Sequence, residues 1–175
     1  MTNIEPINAF QFCPKCKAKL TSRLENVRHI RCDQCGFELY LAPSVCNSVI
    51  ILNQKSEVLL VKRKFEPEID KWDLPGGFIE FDETLEQSVI REAKEELGVD
   101  ICNLKYLCSA VDYYDFGGIR YHTLGFTFTA KADAHAEMKP QDDVSELRYF
   151  SFEDIPWSEI GFISIANALR LLQKK

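Results

Sequence analysis

Residues 77–99, GFIEFDETLEQSVIREAKEELGV, constrain the fold of this chain more than any other stretch. They hold seven acidic residues and only two basic ones. Thr84 followed by Gln87 has the form of a capping box, and Leu97–Gly98 makes a helix stop, so the spacing predicts a helix over about 84–97. At about 100° per residue, Val89, Ile90, Ala93 and Leu97 fall on one arc, and Glu92, Glu95 and Glu96 on another. Like charges three and four positions apart cost roughly 0.2–0.5 kcal/mol per pair on an exposed helix. A generic acidic run is simply a solvated face. Here a turn rich in Pro and Gly, WDLPGG (72–77), lies just ahead, Glu80 and Glu83 join the cluster, and Arg91 sits among the acids. A hard divalent cation turns such repulsion into attraction, and Mg2+ commonly bridges carboxylates to phosphates. The stripe is therefore a candidate docking place for Mg2+ or Mn2+ carrying a phosphorylated substrate.

A second pattern lies near the N-terminus. CPKC (13–16) and CDQC (32–35) are two C-x2-C pairs fifteen residues apart, a zinc-ligand spacing. Cys13, Cys16, Cys32 and Cys35 would close a tetrahedral site with no open position, so the expected Zn2+ is structural. A pair of disulfides is the alternative. It is disfavoured because MTNIEPINAFQF lacks a basic start followed by a long apolar stretch, which makes a cytoplasmic protein the expectation. Cys46, Cys102 and Cys108 lie in apolar, strand-like contexts and are expected as buried small residues.

The charge is uneven. Residues 13–35 carry six Lys or Arg against Glu25 and Asp33, a balance of +4, within a chain of net charge -6. Four thiolates with Zn2+ lower that local excess to about +2. Nucleic acid is thus an unfavoured partner, since phosphate attraction dominates such binding. No apolar run approaches the roughly 20 residues of a membrane span, so no membrane partner is expected.

From Ser44 the pattern becomes strand-like: 45–52, a turn at 53–56, then 57–63. A charged loop (65–71) leads to the turn, and two longer strands at about 103–114 and 119–130 flank a DFGG hairpin. In the second of these, alternating residues around Phe126 and Phe128 predict a half-buried strand. A polar loop (131–146), a strand at 147–152 and a helix near 162–173 complete the chain. The expected divisions are a loose tail (1–12), a zinc ribbon (13–42) and a larger domain (43–175).

Gly77, Glu83, Arg91, Glu92, Glu95, Glu96 and Gly98 stand in the order Gly-x5-Glu-x7-Arg-Glu-apolar-x-Glu-Glu-x-Gly-apolar, with Ala93 and Val99 at the apolar places. This resembles the signature of the Nudix hydrolases, and the order of strands extends the resemblance over about residues 43–173. The resemblance implies an α/β fold, an α/β/α sandwich with mixed sheet, and hydrolysis of the diphosphate linkage in a small nucleotide substrate. It implies Glu92 and Glu96 as principal ligands of Mg2+ or Mn2+, with the carbonyl of Gly76. Glu95 would be a further ligand or the base for water, Arg91 would orient the glutamates, and Glu83 would pair with Arg91 or bind a further metal. Family members bring one more carboxylate from the loop before the last sheet strand. In KPQDDVSELRYF the acids Asp142, Asp143 and Glu146 are available, and the resemblance points to Asp143 as the further metal ligand; solvated loop charge is the alternative for all three.

A zinc ribbon directly before such a domain resembles the NADH pyrophosphatases. Their Ser-Gln-Pro-Trp-Pro-Phe-Pro segment is replaced by LCSAVDYYDFGGIRYH. Substrates of the dinucleotide, ADP-ribose or dinucleoside polyphosphate type are the expected range. Tyr114, with Tyr113, Phe116 and Tyr121, is a candidate for stacking on a nucleobase, and Arg63 and Arg120 for reaching phosphates; packing and surface charge are the alternatives for each. A homodimer is compatible with these expectations. The competing reading is a non-catalytic nucleotide-sensing or nucleic-acid-associated regulatory module; the intact glutamate set argues against it.

Overall fold

The computed structural model describes residues 3–20, 28–132 and 137–174. Arg23 and Glu25, which enter the charge balance above, and residues 133–136 of the expected polar loop lie outside the described residues. The chain divides into two compact units, Met1–Ser44 with Tyr113–His122, and Val45–Asp112 with Thr123–Lys175.

In the larger unit, β3 (Ser44–Ile51), β7 (Ile119–Ala132) and β6 (Ile101–Phe116) form one sheet in the order β3-β7-β6. A second sheet has the order β5-β4-β8, from β5 (Trp72–Asp73), β4 (Val58–Arg63) and β8 (Val144–Phe150). β4 is antiparallel to both its neighbours. Strand alternation explains the layers. Val49, Ile51, Leu59 and Val61 point into one core with Val89, Ala93 and Leu97 of α2 (Leu85–Leu97). Ile50, Val58 and Leu60, one residue out of phase, point into another with Ile165 and Leu169 of α3 (Ile163–Gln173). Helices thus cover the strands from both sides, which is why β3 and β4 read as near-continuous apolar runs. Each fully buried Val, Leu or Ile contributes roughly 1.5–3 kcal/mol. The fold is the expected α/β/α sandwich.

α2 begins and ends as its sequence requires. Thr84 accepts from the Gln87 amide, Gln87 reaches back to the Thr84 amide, and Gly98 takes the left-handed conformation (φ 74°) as it donates to the Lys94 carbonyl. β6 and β7 meet at Gly117 and Gly118, both at positive φ (60° and 78°), a two-residue hairpin.

Several expectations are corrected. Ile90 is 41% exposed, because the buried arc of α2 is centred on Val89, Ala93 and Leu97 and takes in Glu96 instead. Cys102 is exposed, since Ile101 occupies the inward position and alternation sends its neighbour out. Cys46 and Cys108 are half-buried. β7 is more than half-buried: Thr123, Thr127, Phe128 and Ala130 are all inside, with Thr127 hydrogen-bonded to Ser48 at 3.0 Å. The last strand begins at Val144, earlier than expected, as its residues pair with β4 up to Arg63.

The smaller unit is built around the cysteines. β1 (His29–Arg31) pairs antiparallel with β2 (Glu38–Tyr40), and Cys13, Leu20, Ile30 and Cys32 are its buried centre. Residues 3–12, expected as a loose tail, are structured. Ile4 bridges in parallel to Ile119, its amide donating to Gly118 and its carbonyl accepting from Arg120, and a short helix α1 spans Pro6–Ala9. The long β6–β7 hairpin ends in backbone groups that need partners, and Ile4 supplies them. Among the described residues, no helix is long and apolar enough to cross a membrane.

Candidate active site and zinc centre

The glycine turn before α2 brings backbone close to the side chains of Glu92 and Glu96. Gly76 has φ 148° and lies so near β3 that a Cβ there would sit 2.7 Å from Ser48 Cα and closer still to the Asn47 carbonyl oxygen. Only glycine fits. A Cβ on Gly77 would strike the Glu92 carboxylate. The turn is pinned to β3 by bonds from the Asn47 amide to Gly77 O (2.9 Å) and from the Val49 amide to Pro75 O (2.8 Å).

Arg91 organises the glutamates. Its Nε donates to Glu83 Oε1 at 2.8 Å and its NH2 to Glu83 Oε2 at 3.0 Å. Its NH1 donates to Glu92 Oε1 at 2.8 Å and to Glu95 Oε2 at 2.9 Å. NH2 also reaches Phe78 O and Ser88 Oγ. One cation therefore offsets three of the repelling charges. Hydrogen bonds from Arg91 hold the Glu83 carboxyl down at about 2, well below its ordinary value. Burial pushes the Glu92 carboxyl up against the pull of Arg91. Glu95 remains half exposed.

Glu96 has a different environment. It is buried, 4% exposed, and its Oε2 accepts from the Gly76 amide at 2.9 Å. Burial and the adjacent Asp143 push its carboxyl well above the ordinary range. Asp143 reaches Glu96 because the last carbonyls of α2 need donors: Gln141 N bonds Glu96 O (3.0 Å) and Lys139 N bonds Leu97 O (3.2 Å). That lays the 139–143 segment over the helix end. Lys64 N, donating to Asp143 O at 2.8 Å, fixes it from β4. Asp73, also buried, feels the Asp143 charge, and burial raises its carboxyl to about 6 although Arg63 pairs with it. Burial thus disfavours the ionised forms of Glu96 and Asp73, and the charge of a hard divalent cation among these carboxylates would offset that.

In the smaller unit the four cysteine sulfurs lie within 4.8 Å of one another. Cys13 and Cys35 sulfurs are 3.7 Å apart, and those of Cys16 and Cys32 3.6 Å. No disulfide joins them. The two knuckles share one geometry: Lys17 N bonds Cys13 O and Gly36 N bonds Cys32 O, both at 2.9 Å, with Lys17 and Gly36 at positive φ. A backbone bond at Ala18 lowers the Cys16 thiol, yet burial and the three facing sulfurs carry it up to about 12. The four sulfurs cannot ionise together without a cation, and Zn2+ fits this donor set.

The remaining sequence candidates have partners. Arg63 donates from Nε to Pro67 O (2.7 Å) and from NH1 to Asp73 Oδ2 (3.2 Å), with its guanidinium over Phe162. Arg120, in the smaller unit, forms a two-pronged pair with Asp115 at 2.9 Å and lies over Tyr113. Tyr114 packs beside Phe116, their centroids 6.4 Å apart. Three polar residues of the larger site escaped the sequence reading: Asn47, Ser88 and Asp73, all buried. Two carried a signal. Asn47, with Ser48, interrupts the apolar run of β3, and Ser88 falls four and seven positions before Glu92 and Glu95, on their face of the helix.

Residues 43–170 match the family model described as the NUDIX domain. The chain is 30% identical over 149 residues to a Pseudomonas aeruginosa protein named NAD-capped RNA hydrolase NudC, covering 83% of this chain and 49% of that one. It is 36% identical over 120 residues to an ADP-ribose pyrophosphatase of Methanocaldococcus jannaschii, covering 69% of each. It thus spans about half the length of the NudC relative it matches. A crystal structure of a NUDIX hydrolase from Nitrosomonas europaea superposes with a TM-score of 0.71 at 28% identity, over 92% of this chain and 89% of that one. With its helix, glycine turn and glutamate set at the family's spacing, the chain belongs to the NUDIX family.

Proposed function

We propose that this chain hydrolyses the diphosphate linkage of a nucleoside diphosphate derivative, with ADP-ribose-type substrates foremost. The observation that carries this reading is the Arg91 hub, which holds Glu83, Glu92 and Glu95 beside buried Glu96 and Asp143. Glu92, Glu96 and Asp143, with the Gly76 carbonyl, would hold Mg2+ or Mn2+; the bound ion supplies charge neutralisation of the diphosphate and a more acidic water. Arg91 orients the carboxylates and keeps Glu83 ionised. Glu95, held at Oε2 and half exposed, would be a further ligand or take a proton from water at Oε1. The apolar layers behind Glu96 exclude bulk water from its side of the site. In the smaller unit, the cysteines would hold Zn2+ as a structural ion.

The substrate range draws support from the relatives' names, NAD-capped RNA hydrolase and ADP-ribose pyrophosphatase. The test is turnover with Mg2+ or Mn2+ of a panel comprising ADP-ribose, NADH, NAD-capped RNA, dinucleoside polyphosphates, nucleotide sugars and nucleoside triphosphates. ADP-ribose should lead. Failure to cleave any diphosphate with either ion would reject the enzyme reading in favour of a nucleotide-sensing module.

A further inference from the structure

We propose that Asn47 and Ser88 are positioning residues that fix the orientation of the Arg91–Glu83 pair, and through it the metal-binding glutamates. The proposal rests on the metal-dependent reading above. Ser88 is fully buried, three residues before Arg91 and four before Glu92, so it faces both from the preceding helical turn. Its Oγ accepts from Asn47 Nδ2 at 2.7 Å and from Arg91 NH2 at 3.2 Å, with the Glu83 carboxylate held by the same guanidinium. A hydroxyl has one proton and two lone pairs. The amide and guanidinium nitrogens can only donate, so they fill both lone pairs. The single Ser88 proton is then directed away from both nitrogens, and the Glu83 carboxylate on the same guanidinium is an acceptor suited to it. Every bond at this oxygen has a determined direction.

Asn47 sets that direction. It is 5% exposed on β3, and its Oδ1 is buried with no hydrogen-bond partner among the described residues. An unpaired buried acceptor costs free energy. Turning the amide over would bring Oδ1 against Ser88 and draw the hydroxyl proton to itself, away from the Arg91–Glu83 pair. The orphaned oxygen is the counterpart of keeping an N–H aimed at Ser88. The Asn47 backbone N–H also donates to Gly77 O, so one residue links strand, glycine turn and helix.

Asn47→Leu separates positioning from stability. It keeps the approximate shape while removing both the donor and the unpaired acceptor. The thermal midpoint should stay level or rise, because a buried unsatisfied oxygen disappears. Mn2+ affinity, measured by calorimetry on protein freed of Mg2+, should fall about 10-fold or more, as for other groups that orient metal ligands, and kcat should fall with it. Ser88→Ala should produce a similar loss, and the double variant little more than either alone, since both cut one chain of bonds. If Asn47→Leu does not fold, Ser88→Ala carries the test through the same Mn2+ titration. Wild-type Mn2+ affinity in these variants, or losses that add in the double variant, would overturn the proposal. Wild-type protein that neither binds Mn2+ nor turns over would instead reject the underlying functional reading.

Discussion

Arg91 holds Glu83 by both carboxylate oxygens, Nε to Oε1 at 2.8 Å and NH2 to Oε2 at 3.0 Å, while the same guanidinium reaches Glu92 and Glu95. Only a planar fork can do this; an ammonium is a single point of charge. Arg91→Lys should therefore keep the charge and lose the arrangement. Turnover should drop about 10–100-fold, in line with other groups that orient metal ligands. Steady-state kinetics across a range of Mg2+ concentrations would check it, and near-normal rates would mean that charge alone suffices.

The two glycines of the turn should fail in different ways. At Gly76 a side chain would meet strand backbone, which cannot move aside, and φ 148° is closed to other residues. Gly76→Ala should lower stability by on the order of 1–3 kcal/mol. At Gly77 the obstacle is the end of the Glu92 side chain, which can swing away. Gly77→Ala should keep its thermal midpoint but lose activity, because Glu92 moves. Denaturation curves and kinetics on the pair would distinguish them; equal stability loss in both would contradict the contrast.

Much of this was legible in the sequence, and the gaps have physical causes. The cap at Thr84, the stop at Gly98 and the DFGG hairpin are local chemistry, readable from a few neighbouring residues. Burial of β3 and β4 is legible because both are apolar on both faces, whereas the sandwich is implied by the resemblance to the Nudix signature. Helical period put Glu96 with the exposed stripe, yet it is buried. Its burial depends on the Gly76 turn and the Asp143 loop, which are distant in sequence. The same reason hid Asn47 and Ser88: each looks like an ordinary polar residue until the strand and the helix meet. Ile4 escaped because its partner, Ile119, is over a hundred positions away.

Metal-free protein should lose stability as pH rises above about 4. Burial lifts the Asp73 carboxyl from its ordinary 3.8 to about 6, despite Arg63. The fold thus holds this proton more tightly than the unfolded chain does. Between those values unfolding releases a proton, so stability is fullest below the window and declines as pH climbs through it. Glu96 acts in the same direction. Glu83, held down at about 2, acts oppositely, but mainly below its ordinary 4.5. Asp73→Asn should flatten the decline, measured as thermal midpoint between about pH 4 and 6. An unchanged slope in that variant would place the effect elsewhere.

The cysteine centre should hold structure and perform no chemistry, because four protein ligands leave no position for a reactive water. Cys32→Ser should release zinc, and amide exchange should rise in residues 13–20 and 28–41, around the small buried cluster. Metal analysis of protein purified without chelators gives the direct check. Absence of zinc there would reject the centre.

Asp143 and Asp142 are neighbours with opposite prospects. Asp142 takes a left-handed conformation (φ 49°) and offers its carbonyl to Lys64 Nζ at 3.1 Å. Asn adopts that backbone as readily as Asp, so Asp142→Asn should change little. Asp143 instead lies near the Glu96 carboxyl, and its charge is felt at Glu96, Glu92 and Asp73. With a cation among these carboxylates, Asp143 would supply one of the compensating charges; without one, it adds to the repulsion. Asp143→Asn should therefore raise the stability of the metal-free protein and yet lower turnover by about 10²-fold or more, as for loss of a positioned acid–base group. The paired measurement is decisive, because a residue that merely braces the loop would lower both. Full activity in the Asp143 variant, or a larger loss at Glu146, would assign the role to the wrong acid. Glu146 bonds Arg148 at 2.6 Å and pairs with Lys62 at 3.7 Å, so its carboxylate is already committed to cations along the sheet.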